Sequence, residues 1–170
     1  PDEDLFIEYF NQHPEVKLVI APHVIDENHL VEIIRKLKRP YVRYTRADEK
    51  NVRKADCLII DCFGLLSSIY RYGEIAYIGG GFGVGIHNTL EAAVYGIPVI
   101  FGPKYQKFQE AIQLLEAKGA FSVKDYEELK TLLDRMLTDE VFLRESGMNA
   151  SNYVTGNAGA TDKIMSMINF

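Results

Sequence analysis

A chain of 170 residues, 47% of them apolar, is long enough to bury one full core and too short for two of ordinary size. Its formal charge of −5, with lysine and arginine spread along the chain and not gathered into a stripe, removes the electrostatic case for a nucleic-acid partner. No apolar run reaches the roughly 18 residues that a membrane helix needs, and Cys57 and Cys62, with neither redox-pair nor zinc spacing, are expected as reduced buried thiols.

Leu5, Phe6, Tyr9 and Phe10 keep helical spacing, and VKLVIAP (16–22) reads as a strand stopped by Pro22. A helix over 27–38, capped by Asp26 and limited by Pro40, leads to a short strand over 41–45. Then come a strand (56–61), a short helix (65–73) ended by Gly73, and a strand (75–80). Beyond the glycines a helix (88–95), a strand (97–101), a helix (about 106–118) ended by Gly119 and a strand (120–123) are expected. Two or three polar-faced helices close the chain from Asp125, itself an expected N-cap. Strands that are apolar throughout and alternate with helices predict an α/β fold, a doubly wound Rossmann-like parallel sheet with helices on both faces, as a single domain over 1–170. The start, PDEDLF, lacks a methionine and opens almost directly into a helical pattern, so a fragment of a longer protein is expected.

Ligands of such sheets bind beyond the carboxyl ends of the strands, where connections change side. That singles out Pro22 and His23, Asp61 to Leu65, Gly79 to Asn88, and Gly102 to Lys104. Five glycines between Gly79 and Gly85 let the backbone approach a ligand closely, and a helix starting near Asn88 would turn free N–H groups toward a phosphate. The dinucleotide pattern G-x-G-x-x-G fails in every frame, because Val84, Ile86 and Asn88 stand where its last glycine belongs; no Gly-Lys-Ser/Thr follows for a P-loop. A mononucleotide or nucleotide sugar remains. Asn88 and Glu91 also have the spacing of a capping box that needs no ligand, and His87 is as readily a loop histidine as a phosphate donor. His13 and His29 are expected at the surface. No arrangement suggests a nucleophile or a metal site.

The segment GIHNTLEAAVYGIPVIFGP (85–103) resembles the donor-site signature of the 3-deoxy-D-manno-octulosonic acid (Kdo) transferases of lipopolysaccharide assembly, roughly G-G-H-N-x-L-E followed by P-V-x-x-G-P. LVIAPH (18–23) resembles that family's A-P-R-H segment, and DCFGLLSSIYRYGEIAYIGGGF (61–82) its D-x-M-G-E-L and G-G-S/T segments, in the same order along nearly the whole chain. The resemblance implies the C-terminal half of a GT-B glycosyltransferase that binds CMP-Kdo and lacks its N-terminal acceptor domain here. The CMP contacts it implies are Pro22 and His23, then Phe63, Gly64 and Leu65, and His87, Asn88, Thr89, Leu90 and Glu91, with Glu91 on the ribose. It also implies inverting transfer to a lipid A precursor without metal or cofactor. The base would come from the missing domain, so that no catalytic residue lies in this chain and the fragment alone is inactive. Membrane contact, at the cytoplasmic face of the inner membrane, would belong to the full-length protein, while this fragment is expected to be soluble. Three positions depart from the pattern: His23 stands in the arginine's place, Leu65 in the acid's, and Ile86 in that of the second glycine. Another GT-B enzyme or an epimerase using UDP or GDP donors, and a non-catalytic nucleotide-binding module, are the alternatives.

Overall fold

Each apolar run between helices becomes a short parallel strand. The computed structural model describes residues 2–158. Its strands are β1 (Leu18–Ile20), β2 (Tyr41–Arg43), β3 (Cys57–Ile59), β4 (Ala76–Ile78), β5 (Val99–Phe101) and β6 (Ala120–Ser122). Its helices are α1 (Asp2–Gln12), α2 (Glu27–Lys36), α3 (Glu49–Val52), α4 (Leu66–Ile69), α5 (Leu90–Ala93), α6 (Gln109–Glu116), α7 (Tyr126–Thr138) and α8 (Glu140–Asn157), with 3-10 turns at Tyr44–Arg46 and Tyr70–Tyr72. The α/β alternation is as expected. The expected single sheet is instead two three-stranded parallel ladders, ordered β1-β3-β2 and β4-β5-β6.

Local chemistry explains the helix starts. The Asp26 carboxylate accepts from the amides of Asn28 and His29 at the head of α2, and Asp125 from that of Glu128 at the head of α7. The unanticipated α3 is a four-residue helix set by a capping box between Asp48 and Asn51; it buries no residue, so no apolar period announces it. The helix expected over 88–95 is observed as Leu90–Ala93, with Thr89 at its N-cap and a turn over 94–96 that closes on Gly96 at φ +73°.

Packing ties the two ladders together. Phe6 of α1 packs against both the β1/β3 core and the cluster formed by Ile100, Val123, Leu129 and Met136. Its ring lies 5.4 Å from that of Tyr77 on β4. The Tyr9 hydroxyl donates to Asp134 of α7 at 2.8 Å, and that of Tyr77 donates to Asp2 at 3.1 Å. Phe101, at the centre of the second ladder, is fully buried; such a side chain contributes about 1.5–3 kcal/mol through burial. Gly119 is expected from its position only to stop α6, but the left-handed residue there is Lys118, at φ +58°. A Cβ on Gly119 would come within 2.6 Å of Ala150, so glycine is required for the approach of α8. Of the closing helices, α7 and α8 lie in the described residues, and 159–170 fall outside them. Among the described residues no helix is long and apolar enough to cross a membrane. Cys57 is buried and Cys62 partly so, both unpaired.

Candidate functional site

The glycine loop after β4 is partly bonded to itself. The amides of Gly83 and Gly85 both donate to the Gly80 carbonyl, at 2.9 and 3.1 Å, and that of His87 donates to the Gly79 carbonyl at 3.2 Å. The Lys104 ammonium donates to the Gly83 carbonyl at 2.8 Å and its amide to the Gly81 carbonyl at 3.0 Å, stapling the loop to the turn after β5. Glycine is dictated by crowding. Gly80 sits at φ +93° and its Cβ would fall 2.2 Å from the Gly85 carbonyl oxygen, while a Cβ on Gly81 would fall 2.5 Å from Gly102. Among the described residues, the amides of Asn88, Thr89 and Glu91 have no protein acceptor, and neither do those of Gly80, Gly81, Phe82, Val84 and Ile86 within the loop.

The amides of Asn88, Thr89 and Glu91 belong to a turn ordered by its own side chains. Asn88 Oδ1 accepts from the Leu90 amide at 3.0 Å, and Asn88 Nδ2 donates to Glu91 Oε1 at 3.0 Å. This is not the reciprocal capping box expected from the spacing, since the Glu91 carboxylate meets the Asn88 side chain and not its backbone. Thr89, 1% exposed, keeps a buried hydroxyl without a hydrogen-bond partner among the described residues. His87 and His23 are both exposed, and their rings stack with centroids 4.5 Å apart and 21° between planes. The structure thus joins the turn after β1 to the turn before α5. Pro22 is buried at the end of the β1 segment, next to that contact, and Leu90 packs on the core of the second ladder.

The third predicted segment follows β3, the parallel neighbour of β1, so Phe63, Gly64 and Leu65 lie at the same sheet edge as His23. Phe63 is 84% exposed, an apolar face turned to solvent, and Gly64 takes φ +87° to present it. Tyr70, which sequence reasoning does not single out, connects this segment to α5. Burial first, and the Glu91 charge second, push its phenol up to about 12, keeping it a protonated donor.

Asp61 and Lys104, both inside the candidate segments, serve the fold. Asp61 accepts from the Thr45 amide at 2.9 Å, the Thr45 hydroxyl at 2.6 Å and Arg43 Nε at 2.8 Å, and Arg43 also reaches Glu27 at 2.7 Å. Burial opposes its charge, but these Thr45 and Arg43 contacts outweigh it and hold the carboxyl down to about 2. The cluster clamps the ends of β2 and β3 to the first turn of α2. His29, as a partner of Glu3 at 3.0 Å, and His13, stacked on Tyr9 at 3.8 Å, lie away from the crevice. Among the described residues no group of three or more potential ligands could hold a metal ion.

A helix-covered parallel sheet with turns converging beyond its carboxyl edge is the architecture of nucleotide-sugar-binding domains in GT-B glycosyltransferases. The comparisons with known proteins agree. The chain is 36% identical over 135 residues to the 3-deoxy-D-manno-octulosonic acid transferase of Aquifex aeolicus, covering 78% of this chain and 37% of that protein. It is 27% identical over 164 residues to a bifunctional glycosyltransferase/methyltransferase of Fusobacterium nucleatum, covering 90% of this chain and 26% of that protein. Its fold matches the C-terminal CMP-Kdo binding domain of WaaA from Acinetobacter baumannii, with a TM-score of 0.77 at 19% identity over 91% of this chain and 83% of that one. No protein-family model matches. The chain belongs to the family of the Kdo transferases, and it spans about a third of the length of these relatives, 37% and 26% of the two above.

Proposed function

We propose that this chain is the donor-binding domain of a Kdo transferase that moves Kdo from CMP-Kdo to a lipid A precursor. The observation that carries this reading is the convergence of His23 with His87 and the Asn88–Glu91 turn beyond the carboxyl ends of the two ladders, on a domain related to enzymes of that name. CMP departs with negative charge on its phosphate. Free amides at Asn88, Thr89 and Glu91 and the two imidazoles supply donors fixed before the reaction, so they stabilise that charge without reorganising. The exposed Phe63 ring offers a face for the cytosine, and the Glu91 carboxylate an acceptor for ribose hydroxyls. Pro22, Gly64, Leu65 and Leu90 contribute backbone and shape. The base that activates the acceptor hydroxyl belongs to a second domain, as does contact with the membrane that holds the lipid acceptor. No metal or cofactor is assigned a role.

The test is CMP binding by residues 1–170 and CMP-Kdo turnover by the whole gene product. Asn88→Ala and Glu91→Ala each remove a polar contact to a charged or hydroxylated ligand, which lowers affinity and turnover by about 10- to 100-fold. Unchanged constants in both variants would sink the assignment. UDP and GDP compete poorly if the donor is a cytidylate; equal competition moves the reading to another GT-B donor. A binding-silent domain that remains fully folded leaves Asn88 and Glu91 as a purely structural turn.

A further inference from the structure

The donor that the proposed function requires carries two negative charges side by side, since in an activated ulosonic acid the phosphodiester oxygen and the carboxylate sit on the same anomeric carbon. His23, His87 and the Asn88–Glu91 turn answer the first. The carboxylate needs a donor of its own, and both imidazoles are charged only when protonated. Across the strand-end segments, residues 22–23, 61–65, 79–88 and 102–104, Lys104 is the one lysine or arginine. The resemblance to the family's signature ends at Pro103, so it gives Lys104 no role.

We propose that Lys104 binds the sugar-acid carboxylate of the donor and thereby favours a donor that carries one, a step that rests on the donor-binding function proposed for this domain. The turn after β5 that carries Lys104 lies directly against the glycine loop. The Lys104 amide donates to the Gly81 carbonyl at 3.0 Å, and a Cβ on Gly85 would stand 3.9 Å from the Lys104 carbonyl oxygen. His87 follows Gly85 by two residues, at most about 7 Å of chain, so Lys104 borders the place proposed for the phosphate. An ammonium has three hydrogens, and that of Lys104 gives one to the Gly83 carbonyl at 2.8 Å. Among the described residues it has no carboxylate partner, so two hydrogens are left for a ligand. Lys104 is exposed, and its flexible four-carbon stem turns the ammonium from Gly83 to an anion without moving the backbone. The amides of Phe82 and Val84, on either side of Gly83, have no protein acceptor among the described residues and add donors to the same place. Val84 is fully exposed, which leaves this flank of the loop open to a ligand.

The test compares two ligands in the whole gene product: CMP-Kdo as substrate, and the methyl ester of CMP, a phosphodiester without a sugar acid, as competitive inhibitor. Lys104→Met removes a hydrogen bond to a charged group and lowers kcat/KM for CMP-Kdo by about 10- to 100-fold. The inhibition constant of the methyl ester stays as in the parent, and Lys104→Arg, which keeps the charge, retains most of the activity. An equal loss for both ligands would mean that Lys104 serves the phosphate or the shape of the loop, and overturns the proposal; so does an unchanged kcat/KM in Lys104→Met. Thermal unfolding of residues 1–170 separates binding from folding, because the bond to Gly83 is exposed and Lys104→Met leaves the midpoint nearly unchanged. A methyl ester that fails to inhibit the parent removes the donor-binding function itself, and this site with it, so the two failures are told apart.

Discussion

The imidazoles of His23 and His87 stack at 4.5 Å, although one follows a strand of the first ladder and the other precedes a helix of the second. The contact makes two turns into one surface. Stacked neutral rings tolerate each other, whereas two cationic rings repel unless an anion lies against both. A phosphate at that place would use the pair as a unit.

His23→Ala and His87→Ala therefore each weaken CMP binding by about 10-fold, and the double variant loses less than the product of the two. Calorimetric titration of the four proteins measures this coupling. Strict additivity would show that the rings act separately.

Gly80→Ala destabilises the domain by about 1–3 kcal/mol, because an L side chain at φ +93° is strained and its Cβ meets the Gly85 carbonyl at 2.2 Å. Gly83→Ala, whose Cβ would stand 3.5 Å from the Gly80 carbonyl, leaves stability nearly unchanged. Thermal unfolding compares the two. A Gly83 variant as damaged as the Gly80 variant would mean that the loop tolerates no side chain for reasons other than this crowding.

Acid sensitivity follows from Asp61. An unfolded aspartate titrates near about 3.9, and the folded carboxyl is held down to about 2. A folded value below the unfolded one means that the stabilisation is complete above about pH 4 and is lost as pH falls toward 2, with a size of about 2 kcal/mol. Urea unfolding at pH 7 and at pH 3 reads it. Asp61→Asn is less stable than the parent at pH 7 and loses less on acidification, and an equal acid loss in both proteins would assign the effect to other carboxylates.

Much of the candidate site is legible in the order of residues alone. Apolar runs locate the strand ends, and these put Pro22, His23, Phe63 and His87 through Glu91 just beyond the carboxyl ends of strands. The role of the glycines is not legible, because five glycines signal freedom of the backbone without saying what consumes it. Here it is crowding against Gly85 and Gly102, with the amides of Gly83, Gly85 and His87 turned onto Gly80 and Gly79. Asp61 misleads for a similar reason. An acid at a strand end looks available until Thr45 and Arg43, distant in sequence, are seen to surround it.

By itself the sequence determined the alternation of strand and helix, the caps at Asp26 and Asp125, and the family to which the chain belongs, since periodicity, capping and motif spacing are local properties. Tertiary structure decided the split into two ladders, the stacking of His23 on His87, and which polar groups remain free beside them. Those depend on contacts between segments far apart in the chain, and no local pattern specifies how such segments meet.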